Sequence, residues 1–232
     1  MLAQRVADAL PAEVAEEVVL TGSVSRGAAD KVSDIEMLVV TREPLELEHC
    51  FTLARAAGID GLDTWGACDG PVRRVSGYRA GVPLRTSGLL AAWQEQLREY
   101  PRELARARIE EAALRWGGYT PAGLLTLLRP GDRLALTEWL VDAATRVLTI
   151  IFAVNEVWEP TTKRLAARVA PLAVKPDRLA ERIDEALTEP DPRRALLVMT
   201  ELQIDTVLLA PSGSNVERAL TWLSEAAEVL RR

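Results

Sequence analysis

Gly22-Ser23, followed by Asp34-Ile35-Glu36, constrains this chain more than any other stretch. A short apolar run, Val18 to Leu20, ends on the Gly-Ser turn. A polar, helix-tolerant segment follows, then a second apolar run that opens with two carboxylates two residues apart. The pattern predicts strand, turn, helix, strand. Residues i and i+2 of a strand project from one face, so Asp34 and Glu36 are expected to point the same way at the mouth of a sheet. Two carboxylates so placed form an oxygen-ligand site for Mg²⁺, which takes one or two carboxylates plus substrate phosphates. The Gly-Ser turn offers backbone N–H groups, a hydroxyl and a helix start, which suit a triphosphate.

Hydrophobic periodicity divides the rest. Leu2, Val6, Ala9 and Leu10 predict an amphipathic helix over residues 2–15. Strands are expected at Val18–Leu20, Glu36–Val40, Ile59–Trp65, Val72–Tyr78 and Gly81–Thr86, with a helix from Pro44 to about Ala57, closed by Gly58. Beyond Gly88 the chain turns Leu/Ala/Glu/Arg-rich with helical period. Helices are predicted at 89–115, 121–129, 132–156, 161–170, 176–188, 191–209 and 214–231, with prolines at most boundaries and Asp132 and Ser214 as N-caps. The expected class is α+β: a mixed sheet with flanking helices over 1–87, then a helical bundle over 88–232.

Composition narrows the function classes. The chain has 232 residues and 48% hydrophobic content, and its mean hydropathy is +0.02, as in a globular protein. Apolar runs such as Val147–Val154 are too short to span a bilayer, and Met1-Leu2-Ala3-Gln4-Arg5 carries no signal-peptide core, so a cytoplasmic protein is expected. Cys50 and Cys68 form no CxxC pair, which argues against structural zinc or a disulfide framework. A net charge of −6 argues against a broad nucleic-acid surface and favours a small, cationic acceptor. The sole histidine, His49, sits in a predicted helix, so chemistry falls to carboxylates, metal, Arg or Lys. The Arg98–Arg115 stretch carries both charge signs and reads as a solvated helix face.

The stretch from Leu20 to Val40 resembles the signature of the DNA polymerase β-type nucleotidyltransferase superfamily, especially its small aminoglycoside and lincosamide nucleotidyltransferase branch. Gly22, Ser23, Arg26, Gly27, Ser33, Asp34 and Glu36 fall on that pattern, and a weaker likeness extends to about residue 165. The resemblance implies in-line attack of a hydroxyl on the α-phosphate of a nucleoside triphosphate. Two Mg²⁺ ions, about 3.5–4 Å apart, would clamp the attacking and leaving oxygens. Asp34 and Glu36 would be the shared ligands. Gly22, Ser23, Arg26 and Ser33 would serve the nucleotide, with Lys163 neutralising triphosphate charge. Glu138 would act as general base on a hydroxyl of a small, antibiotic-like acceptor, and Trp158 would stack on a ring. A homo-oligomer is left open.

One position departs from the family. A third carboxylate is expected on a later strand, within Gly81-Val82-Pro83-Leu84-Arg85, yet Arg85 stands there. An arginine beside Asp34 and Glu36 would bridge them in place of metal. Three alternatives follow: a third acid from elsewhere (Asp60, Asp63 or Asp69), an enzyme working with two carboxylates, or a degenerate fold kept as a nucleotide-binding or protein-interaction module.

Overall fold

The computed structural model describes residues 2–41, 47–56, 58, 79–114, 120–158 and 163–232. The chain divides into two compact units, Met1–Glu99 and Tyr100–Arg232.

The first unit is built on three antiparallel strands in the order β2-β1-β3: β1 Ala15–Leu20, β2 Met37–Thr41 and β3 Val82–Arg85. β1 pairs with β2 from Ala15↔Thr41 to Leu20↔Met37, and with β3 from Val18↔Arg85 to Leu20↔Val82. The described sheet is therefore antiparallel, where a mixed sheet was expected. Helices α1 (Leu2–Ala9), α2 (Gly22–Ser25), α3 (Leu47–Ala56) and α4 (Leu89–Gln96) accompany it. Val18 packs with Ala7, Leu10 and Ala15, and Met37, Val39, Leu53 and Leu84 close around them. Each large apolar side chain so buried contributes about 1.5–3 kcal/mol.

β1 begins earlier and α1 ends earlier than their periodicity predicts. Pro11 explains both, because its ring and missing N–H oppose helix continuation. The strands expected at 59–65 and 72–78, and Pro44, lie outside the described residues.

The second unit is helical, with α5 Arg102–Leu114, a 3₁₀ helix Ala122–Leu128, α6 Arg133–Val154, α7 Leu165–Val169, α8 Leu179–Thr188, α9 Pro192–Leu208 and α10 Ser214–Arg231. α9 is central, packing on α6, α8 and α10. Its Leu196, Met199 and Leu202 are fully buried, as are Ile150 and Ile151 of α6. Local chemistry sets the ends. Asp191 accepts the Arg193 N–H at 3.0 Å and Pro192 opens α9. Asp132 stands at the N-cap of α6 without a side-chain bond, and the α10 cap is Gly213, not Ser214. The Glu110 carboxylate takes over at α10, accepting the Asn215 N–H at 3.1 Å.

Two larger expectations are corrected. The helix predicted over 89–115 is two helices, α4 and α5, because Pro101 steers Tyr100 away from helical backbone. The division between units falls at Glu99–Tyr100 instead of near Ser87. α4 belongs to the sheet, since Leu90 is buried and its N–H is held from β1 by Glu17.

Candidate functional site

The Gly-Ser turn leaves β1 at its C-terminal end. Thr21 N–H donates to Glu36 O at 2.8 Å, so the β1–β2 ladder extends one step beyond Leu20↔Met37. Gly22 has φ +71°, in the left-handed region. A Cβ built on it would lie 2.8 Å from Glu36 Cδ, closer than real Cβ contacts allow. The Glu36 carboxylate thus lies directly against the Gly22 backbone; the dihedral favours glycine, and any side chain there would displace the Glu36 carboxylate. Strand alternation puts Glu36 on the sheet face of Glu17 and Val19, opposite the face that Val18 packs onto α1.

The sequence-predicted residues divide by environment. Glu36 is half-buried and Asp34, in the irregular stretch before β2, is exposed. Neither carboxylate takes a side-chain hydrogen bond or ion pair among the described residues. Ser23 is half-buried on α2, its carbonyl accepting from Ala28 N–H at 3.0 Å and its hydroxyl uncommitted. Arg26 follows α2 and is exposed. Ser33, in contrast, is occupied by its own turn. Its hydroxyl donates to Asp30 Oδ1 at 2.8 Å and accepts the Asp30 N–H at 2.9 Å, while Val32 N–H donates to the same carboxylate at 3.1 Å. Ser33 shapes the approach to Asp34.

Arg85 is not beside this pair. Its guanidinium donates to Ala7 O at 2.7 Å and to Ala15 O at 3.5 Å. It therefore points to the α1 face of the sheet, whereas Glu36 lies on the other. Its register partner is Val18, nearer the middle of β1 than the Gly22 end. The cation expected between Asp34 and Glu36 is spent on tying α1 to β1. Among the described residues no group of three His, Cys, Asp or Glu side chains converges, and Asp60, Asp63 and Asp69 lie outside them.

Glu17 was not anticipated. It is fully buried on β1 and accepts five hydrogen bonds. Oε1 takes the Thr86 hydroxyl at 3.2 Å, Ser87 N–H at 2.9 Å, the Ser87 hydroxyl at 3.0 Å and Leu89 N–H at 2.7 Å. Oε2 takes Leu90 N–H at 3.0 Å. Burial pushes this carboxyl up, but the bonds from Ser87, Leu90 and Leu89 outweigh it and leave its pKa below the ordinary glutamate value. The signal was present: a glutamate just before Val18-Val19-Leu20 sits inside a strand and needs partners.

Glu138 and Lys163 belong to the second unit. Glu138 lies on an exposed strip of α6 with Leu134 and Val141, and Lys163 is exposed just before α7. Trp158 packs on Tyr100, ring centroids 4.7 Å apart at 54°. Asn155 acts as a clamp: its amide donates to Val174 O at 2.7 Å and accepts Val174 N–H at 2.9 Å. His49 is exposed on α3.

The family model of a domain of unknown function (DUF4037) matches residues 75–165. The match includes β3, α4, α5 and α6 and excludes Gly22, Asp34 and Glu36. No curated protein and no solved structure matches the chain significantly. Among the described residues no helix is long and apolar enough to cross a membrane.

Proposed function

We propose that the chain is a Mg²⁺-dependent nucleotidyltransferase that moves a nucleoside monophosphate from a triphosphate to a hydroxyl of a small, antibiotic-like acceptor. The observation that carries this reading is the contact of the Glu36 carboxylate with the Gly22 backbone. It brings Glu36 against the Gly-Ser turn at one end of the sheet, with Asp34 two residues earlier in the chain. Two carboxylates with no protein cation on them among the described residues suit a hard cation that completes its shell with phosphate oxygens. Asp34 and Glu36 would hold the metal, which when bound neutralises charge developing on the transferred phosphoryl group.

The chain's own groups supply the rest. Ser23 offers a hydroxyl beside the turn and Arg26 a guanidinium for charge-assisted bonds to phosphate, neither bonded by its side chain among the described residues. Ser33, bonded to Asp30, fixes the turn that presents Asp34. Glu138, exposed on α6, is the candidate base for the acceptor hydroxyl, and Lys163 the candidate second-unit cation. The test is a screen of the four nucleoside triphosphates against aminoglycosides and lincosamides, scored by pyrophosphate release with magnesium. Release that disappears in Asp34→Asn and Glu36→Gln supports the reading. No release with any pair counts against it.

One observation favours a second reading. No third carboxylate joins the pair among the described residues, as suits a degenerate site kept as a nucleotide-binding or interaction module. Calorimetry separates the two. Metal-dependent triphosphate binding that Asp34→Ala abolishes supports the enzyme; metal-independent or absent binding supports the module.

A further inference from the structure

We infer that Arg79 is an anion-recognition residue of the same site, gripping the phosphate chain of the nucleotide from the β3 edge. The inference rests on the nucleotidyltransferase reading and adds a residue that the sequence pattern does not assign.

The sheet register carries it. Leu20, the last residue of β1, faces Met37 on one edge and Val82 on the other. Both neighbouring strands therefore begin at the end where the Gly22 turn leaves β1. Glu36 precedes Met37 on one side, and Arg79-Ala80-Gly81 precedes Val82 on the other. Strand neighbours lie about 4.8 Å apart, so the two flanks of the turn are roughly 10 Å apart across β1. Arg79, three residues before β3, and Glu36, one residue before β2, thus stand on the two flanks of the turn.

The segment is anchored while its arginine is not. Gly81 is buried and its carbonyl accepts the Gln94 Nε2 amide at 3.0 Å, which fixes the approach to β3 against α4. Arg79 is exposed, with no hydrogen bond or ion pair among the described residues. Arg85 of the same segment is fully engaged with backbone carbonyls. The two arginines thus divide the work, one structural and one available. A triphosphate carries several negative charges. Arg26 belongs to the β1–β2 connection, and a planar guanidinium from the β3 flank adds paired donors that suit phosphate oxygens.

The test titrates the full chain with Mg-ATP, the other three Mg-nucleoside triphosphates, AMP and inorganic tripolyphosphate, comparing wild type, Arg79→Ala, Arg79→Lys and Asp34→Asn. Arg79→Ala is expected to weaken triphosphate and tripolyphosphate binding about tenfold, with AMP affected less and Arg79→Lys in between. Its apo melting temperature is expected to match wild type, because Arg79 makes no hydrogen bond or ion pair among the described residues. If wild type binds a triphosphate in an Asp34-dependent way and Arg79→Ala binds it equally well, Arg79 has no such role and the transferase reading stands. If wild type shows no metal-dependent binding of any triphosphate, the transferase reading fails and this inference fails with it.

Discussion

Replacing Glu17 is expected to loosen the junction between β3 and α4 while leaving the second unit intact. Five donors converge on its carboxylate, and they differ in what they lose. Leu90 N–H is on a buried residue and would be orphaned in Glu17→Ala, at about 1–3 kcal/mol. Thr86 and Ser87 are exposed and Leu89 half-buried, so their donors recover water and lose only about 0.5 kcal/mol each. The alanine variant should therefore lose about 3–5 kcal/mol locally. Glu17→Gln keeps an oxygen for the Oε1 donors but turns an NH₂ towards Leu90 N–H, at about 2 kcal/mol. The sign with pH is determined. A carboxyl whose folded pKa is lowered stabilises fully above its unfolded value, and that contribution disappears as pH falls through the folded value. Wild type should thus exceed Glu17→Gln at pH 7 and converge on it in acid. Amide hydrogen exchange at Leu89 and Leu90 reads the local opening directly, and exchange in α9 serves as control. Equal protection in wild type and Glu17→Gln at pH 7, or a gap that does not narrow in acid, would refute the reasoning.

Gly22→Ala should destabilise the first unit by about 1–2 kcal/mol, chiefly from left-handed backbone, and should displace the Glu36 carboxylate. Pairing it with Glu36→Ala should return part of that loss in a urea-melt double-mutant cycle; strict additivity would mean that the two residues do not touch. Gln203 is fully buried in α9, with neither amide atom hydrogen-bonded. Gln203→Met should raise the stability of the second unit by about 1–2 kcal/mol, measured by urea denaturation, and a loss of that size would show that the amide has a partner.

The sequence was most legible where one residue type answers to one constraint. Helical period located α6, α9 and α10 to within a few residues, because long amphipathic segments bury a repeating face. Boundaries failed where a proline or a distant side chain decided them. Pro101 divides α4 from α5, and Glu110, remote in sequence, satisfies the start of α10. Ser214 is a good cap by type, yet it stands as the first helical residue after Gly213, and a carboxylate from α5 meets the Asn215 N–H beside it. The closeness of Glu36 to the Gly22 turn follows from a spacing that expresses a local turn and the strand after it. Glu17 was missed because its partners lie in the β3–α4 connection, which no local pattern couples to β1.

Arg85 shows why a position in a motif does not fix a direction in space. Its slot in Gly81–Arg85 suggested an arginine facing the acidic pair. Two features of the sheet turn it elsewhere. The β1–β3 ladder has an irregularity between Val18 and Val19, and a register shift changes which side chains share a face. The carbonyls of Ala7, in the last turn of α1, and of Ala15, at the start of β1, then offer a guanidinium two acceptors on the α1 side. A helix C-terminus carries partial negative charge, so a cation is favourable there irrespective of any metal site. The arginine that raised the idea of a degenerate site is thus accounted for by the packing of α1. Among the described residues no cation then competes for Asp34 and Glu36, so magnesium binding by this pair turns on the oxygen ligands that phosphate adds.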